Sequence, residues 1–212
     1  MATIVVVGGT GYTGGNVVRE AATRGHDVVS VSRSAPEDPV EGVRYEVGSV
    51  SDVAARVVQG ADAVVAALSP RGDMAGHLVE VYGELARLSA QAGARYLQVG
   101  GFSSLRPAPG QPRVVEGEIP EQYRAEALEG EATRVLLAEH APEGLGWLFI
   151  SPAGGYGAFA PGARTGSYRV GGEIALFDAD GGSNISGADF ALAIVDEIES
   201  PRHHREHIGI AY

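Results

Sequence analysis

The residues with the clearest chemical purpose stand near the start of the chain, in Gly8-Gly9-Thr10-Gly11-Tyr12-Thr13-Gly14. A β-branched run from Thr3 to Val7 leads into them, and Asn16 to Arg24 reads as the helix that follows, stopped by Gly25. Strand, glycine turn and helix N-terminus together aim free backbone N–H groups and the helix dipole at one spot, which suits an anion. Gly8 permits the tight turn, Gly11 lets backbone approach a pyrophosphate, and Gly14 allows helix and strand to pack closely. Glycine is abundant, at 31 of 212 residues, so the spacing alone would fit an ordinary turn. The flanking elements, and a second apolar strand from Asp27 to Ser32, favour dinucleotide binding instead.

The end of that second strand bears on cofactor choice. An NAD site places a carboxylate there for the adenosine ribose, whereas Val31-Ser32-Arg33-Ser34 has none. Arg33, flanked by the hydroxyls of Ser32 and Ser34, can pair with a 2′-phosphate, so NADP(H) is expected in preference to NAD(H). Ligands of open α/β sheets lie beyond the carboxyl ends of the strands. That rule puts Ala66, Ala67, Leu68, Gly100, Gly101, Ser103, Ser104, Pro152 and Ala153 around the nicotinamide half. Ser103 is the best candidate to donate a hydrogen bond to a reacting partner, although both serines could equally cap a turn. His203, His204 and His207 are spaced as metal ligands often are, yet they follow Pro201 among charged residues and read as a solvated turn. No metal site is expected. His77 starts its helix at the rim of the site with no role assigned. Tyr123, Tyr156 and Phe159 are candidates for lining or stacking, with core packing the equal alternative.

Absences narrow the chemistry further. The sequence has no cysteine, which excludes disulfides and thiolate chemistry, and no lysine, which excludes a Schiff base or an amine that tunes a tyrosine. A formal charge of −11 argues against a nucleic-acid surface. No apolar run approaches a membrane span and the chain enters a strand at once, so a cytoplasmic protein is expected.

The elements that must position these residues follow an α/β rhythm. Strands are expected at Val43–Val47, Ala61–Leu68, Tyr96–Val99 and Leu145–Ile150, with helices at Ser51–Val58 (capped by Ser51), Met74–Ala92 and Pro120–His140. The Pro- and Gly-rich stretch from Leu105 to Ile119 reads as a surface loop. Strands alternating with helices at this spacing indicate a Rossmann-type, doubly wound parallel sheet in one domain of 1–212. Within about 153–212 the rhythm breaks into a small cap. Ser167–Val170 and Ile174–Phe177 look like a hairpin about Gly171-Gly172, and Ser186 with Asp189 looks like a capping box for a helix through Glu199. His207–Ala211 reads as an edge strand.

These motifs resemble those of the atypical short-chain dehydrogenase/reductases, and within them the bacterial NADH-flavin reductase-like and NAD(P)H-binding proteins. The resemblance rests on Gly8 to Gly14, Gly100-Gly101-Phe102-Ser103-Ser104, Phe149-Ile150-Ser151-Pro152-Ala153, Arg164 to Arg169 and Ile185 to Ala191. It implies a nicotinamide cofactor at Thr10, Gly11, Tyr12, Thr13 and Gly14, and it adds Ser49 and Val50 to the cofactor-binding set. Tyr12 stands where many members carry Arg, and Ser49 where a Gly-Asp pair is common. The Tyr-x-x-x-Lys pair of ordinary members does not exist here. Without that proton machinery, an NADPH-dependent reductase of a flat conjugated acceptor, a free flavin or a quinone, is the expected function. A non-catalytic NADP(H) sensor and an epimerase- or dehydratase-like enzyme are the alternatives. A homodimer is left open.

Overall fold

A computed structural model describes residues 1–212. Eight strands form one sheet in the order β3-β2-β1-β4-β5-β6-β8-β7, parallel throughout except for β7. The strands are β1 (Thr3–Val7), β2 (Asp27–Ser32), β3 (Arg44–Val47), β4 (Ala63–Ala66), β5 (Arg95–Val99), β6 (Trp147–Pro152), β7 (Arg169–Gly171) and β8 (Glu206–Ala211). β1, β4 and β6 are almost wholly buried, as unbroken apolar runs require when helices cover both faces. Alternation assigns each side chain to a face. Val5, Val7, Val64, Ala66 and Phe149 meet α2 (Val50–Val57), α3 (Leu78–Ala92) and α4 (Glu121–His140) on one face. On the other face Ile4, Val6, Val65, Leu148 and Ile150 meet α1 (Tyr12–Thr23) and α5 (Gly187–Glu199).

Several local expectations need correction. The cap of α2 is Ser49, whose hydroxyl accepts the Asp52 N–H, and not Ser51. The supposed hairpin does not form. β7 pairs antiparallel with β8, while Ile174 bridges to Arg106, so the two arms about Gly171-Gly172 go to different partners. β8 is no edge strand, since β6 and β7 hold it on either side. The stretch from Leu105 to Ile119 is only partly surface, because Leu105, Arg113 and Val115 are buried within it.

The segment between β6 and α5 crosses the carboxyl end of the sheet and is tied down by one carboxylate. Asp189 has no exposed surface and accepts from the N–H groups of Thr165 and Gly166 and from the hydroxyls of Thr165, Ser186 and Tyr212. Ser186 caps α5 through the Asp189 N–H, but the return half of the box is absent: the Ser186 N–H goes to the Tyr212 hydroxyl. Burial alone would raise the Asp189 pKa, and the hydrogen bonds from Tyr212, Thr165, Gly166 and Ser186 outweigh that and bring it down to about 2. A depressed carboxyl pKa stabilises the fold above the unfolded value near 4 and loses that contribution as pH falls through 2. Asp189→Asn is therefore expected to cost on the order of 2 kcal/mol at neutral pH. Thermal melts of both proteins from pH 6 to pH 2 should converge as the pH falls, and parallel curves would show that the carboxylate charge is not what holds the segment.

Candidate functional site

Every residue expected to bind cofactor lies at the carboxyl edge of the sheet, at or just past the ends of β1 through β6. The glycine loop is the tightest part. Gly8 has φ of +89°, and a side chain there would stand 2.6 Å from the Ala67 carbonyl. At Gly14 a side chain would stand 2.2 Å from the Gly8 carbonyl, so α1 packs directly on the turn. Gly11 differs. Its φ is −75°, and an added Cβ would meet only the Gly8 carbonyl, at 3.2 Å. The chain's own packing does not demand glycine at that position, and the space above it is open. The N–H groups of Tyr12, Thr13 and Gly14 have no carbonyl partner. Open space over unpaired donors at a helix N-terminus fits a diphosphate.

Other expected contacts are placed more narrowly. The Tyr12 side chain turns away from the loop: its hydroxyl donates to the Pro161 carbonyl and accepts the Gly187 N–H, which leaves only its backbone for a ligand. Thr10 is exposed, and the Thr13 hydroxyl sits 2.7 Å from that of Tyr156. Burial pushes the Tyr156 phenol well above its ordinary value. The Ser49 hydroxyl is spent on its cap and on the Asp52 carboxylate, and Val50 packs partly into the core. Ser32 donates to the Ser34 carbonyl and shapes the turn. Arg33 pairs with Asp73 at 2.7 Å, and Asp73 sits on the 3₁₀ turn Gly72–Met74 after β4. Because β2 and β4 flank β1, this exposed pair spans the glycine loop. Sequence gave no sign of Asp73, forty residues away.

Past the end of β4, Leu68 is pinned by Tyr82, whose hydroxyl accepts its N–H and donates to its carbonyl. Gly100 is explained by packing, since an added Cβ would stand 2.1 Å from the Phe149 ring. Gly101 is open, with only the Ser103 hydroxyl within 3.6 Å of where a Cβ would stand. Pro152 and Ala153 are buried at the end of β6. Phe102 lies over Gly154 and meets Phe177 edge-on, ring centroids 6.4 Å apart. Phe159, on the loop after β6, is 82% exposed. Tyr156 packs between Tyr12 and Phe190, while Tyr123 is exposed on α4. His77 is exposed at the start of α3.

His207 is not part of a solvated turn. It lies on β8, edge-on to Phe149, with its Nε2 2.9 Å from the Ser151 hydroxyl. Burial, with Arg113 and Arg134 nearby, lowers its pKa to about 3, so the ring is neutral. Arg113 can only donate, and it approaches Nδ1 at 3.4 Å. The proton therefore sits on Nε2 and goes to Ser151, which rules out a serine nucleophile activated by this histidine. His203 instead meets Glu197, and no group of three ligand-type side chains could hold a metal. Arg113 is buried and donates to the Ser104 carbonyl from behind the Phe102–Ser104 turn, while Glu131 and Glu173 balance its charge. Nothing in its Pro- and Gly-rich surroundings marks this anchor in the sequence.

The sequence model of the NAD(P)H-binding family matches residues 8–201. The chain is 32% identical over 212 residues to the YwnB protein of Bacillus subtilis (strain 168), covering 98% of this chain and 97% of that protein. Among solved structures it is similar to a proposed epimerase from Bacteroides thetaiotaomicron, with 34% identity and a TM-score of 0.87 over 100% of this chain and 97% of the other. It is also similar to a proposed NADH-flavin reductase from Streptococcus pneumoniae, with 28% identity and a TM-score of 0.85 over 100% and 99%.

Removing a partly paired buried charge leaves its counter-ions uncompensated. Arg113→Met should lower stability by about 3 kcal/mol in urea denaturation. Arg113→Lys should recover only part of this, because an ammonium cannot reach the carbonyl and two carboxylates in the guanidinium's planar geometry. A Lys variant as stable as the original would show that charge alone suffices.

Proposed function

The chain belongs to the NAD(P)H-binding family, and on that footing we propose that it is an NADPH-dependent reductase of a flat conjugated acceptor such as a free flavin or a quinone. The nicotinamide supplies a hydride; the protein supplies position. Gly8 to Gly14 seat the diphosphate, the ends of β4 and β5 border the ring, and the segment after β6 caps the site within the same folding unit. Phe102, Phe177 and Phe159 offer flat apolar surface for an aromatic acceptor.

One observation carries the reading: the strand ends carry no Tyr-Lys pair, since the chain has no lysine, and the histidine at this rim, His77, is exposed with no side-chain hydrogen bond to orient it. Two of the rim's ionic pairs are closed, Arg33 with Asp73 and Arg71 with Glu126. The Tyr156 phenol, the one that reaches the N-terminus of α1, is pushed away from neutrality by burial. Reduction of a simple ketone needs a proton donor at the nascent alkoxide, and epimerisation needs a base at carbon. An isoalloxazine or quinone spreads the incoming electron pair over its rings and takes its proton from water, so stacking and alignment suffice. The name of the Streptococcus pneumoniae relative agrees with a flavin acceptor. The loops 154–163 and 172–184 carry Asp178 and Asp180, neither paired with an arginine, and no cation, which favours acceptors without a phosphate.

Two measurements test this. Gly11→Val should abolish NADPH binding by calorimetry while the melting temperature shifts little, since only a 3.2 Å contact must relax. Retained affinity would place the cofactor elsewhere. NADPH oxidation, followed by absorbance, should proceed with riboflavin or a quinone, more slowly with FMN, and not with aliphatic ketones. Ser103→Ala should cost on the order of tenfold, one hydrogen bond's worth. A thousandfold loss would make Ser103 an oxyanion stabiliser. Tight binding of NADPH with no turnover on any acceptor would mean a sensor.

A further inference from the structure

Beside the glycine loop, on the α1 side, lies a cleft of about 650 Å³ whose floor includes Gly9, Thr10, Gly11, Gly15 and Arg19 and whose outer wall is Ser34 to Asp38. Arg19 folds back along α1 toward the helix N-terminus, and its two terminal nitrogens stand 3.7 and 3.8 Å from where a Gly15 Cβ would be. The chain has sixteen basic residues, all arginine, and eleven of them are engaged by carboxylates. Arg169 and Arg205 bond to backbone carbonyls. The other three, Arg19, Arg124 and Arg202, have no side-chain partner of either kind, and of these only Arg19 lines this cleft, which Glu37 and Asp38 share. In a chain of net charge −11, a guanidinium left unpaired in a concave site is available to an incoming anion.

Arg33 stands differently. Its side chain does not line this cleft, although Ser34 does, and it reaches instead across β1 to Asp73. To meet a phosphate it would have to leave that carboxylate. Arg19 would leave nothing.

We propose that Arg19 is the principal seat of the 2′-phosphate of NADP(H), with the hydroxyls of Thr10 and Ser34 completing it, and that Arg33 is secondary. The inference rests on the NADPH reading above and goes beyond it by naming the residue that selects the cofactor. A planar, permanently charged fork suits a phosphate dianion, and a tether from the second turn of α1 brings it over the loop that holds the diphosphate.

The test uses two probe pairs that differ only by the 2′-phosphate: NADPH against NADH, and adenosine 2′,5′-bisphosphate against 5′-AMP. Arg19→Met, which keeps the apolar stem, should weaken NADPH and the bisphosphate about 10- to 100-fold and leave NADH and 5′-AMP within twofold, as expected for one charge-assisted contact. Arg33→Met should change the same ratios less than threefold. Asp73→Asn should change them as little, since an exposed pair is worth under about 1 kcal/mol. A preference for NADPH that survives in Arg19→Met, or a larger loss in Arg33→Met, would overturn the seat while leaving the NADPH reading intact. Equal binding of NADPH and NADH by the unsubstituted protein would overturn that reading and the seat together. Arg19 is exposed, so the variant should fold, and a thermal melt of each variant checks this.

Discussion

The contact on which this structure depends is the one between two glycines, Gly8 and Gly14. No side chain fits at Gly14, because the carbonyl of Gly8 would lie 2.2 Å from its Cβ. That carbonyl also accepts the Gly11 N–H, and the Gly8 and Gly9 N–H groups hold the Val31 carbonyl of the neighbouring strand. The turn is thereby locked to β2 on one side and, through Ala67, to the end of β4 on the other. The direction of α1 follows from this lock, and with it the aim of its free N–H groups. The packing of α1 on α5 then fixes where the last third of the chain can lie.

Much of this was legible because burial leaves a strong imprint on composition. Runs such as Ile4–Val7 and Ala63–Ala66 have few alternatives to a covered parallel strand, and all the expected cofactor contacts fall at one edge once the strands are placed. Apart from the cap of α2, which is decided locally between Ser49 and Asp52, the errors share a cause: each depended on a partner remote in sequence. Gly171-Gly172 looks like a hairpin turn, but its arms are drawn apart by β8 and by Arg106. His207 sits among charges in sequence, yet strand alternation carries it inward beneath Arg113. Arg33 has the right position and residue type, and only the fold reveals that Asp73 already holds it. Arg19 looks like any polar residue on an amphipathic helix until the cleft and its lack of a partner are both known.

Charge is arranged here by exclusion as much as by attraction. The carboxylates far outnumber the bases, and the fold ties most arginines into pairs or networks, as with Arg24 among Glu20, Asp196 and Glu199. The same economy separates scaffold from site. His207 and Asp189 are both shifted far from their ordinary values, yet each is buried among structural partners, His207 with Ser151 and Arg113 and Asp189 with the backbone of Thr165 and Gly166. Perturbed titration at these two residues marks structural anchors.

The division of the sheet into two independently packed faces bears on how such a molecule can diverge. The glycine loop is held by α1 and α5 on one face, and the turn that bears Phe102 and Ser103 is braced by Arg113 above α4 on the other. The two assemblies share the central strands, whose side chains alternate between them. Phe159 and Phe177 stand on exposed loops rather than in either core. Under the proposed reading, substitution at those rim positions would alter which ring is accepted while leaving the glycine loop and both cores untouched. A single lineage could thus explore new acceptors while its reductant stays the same.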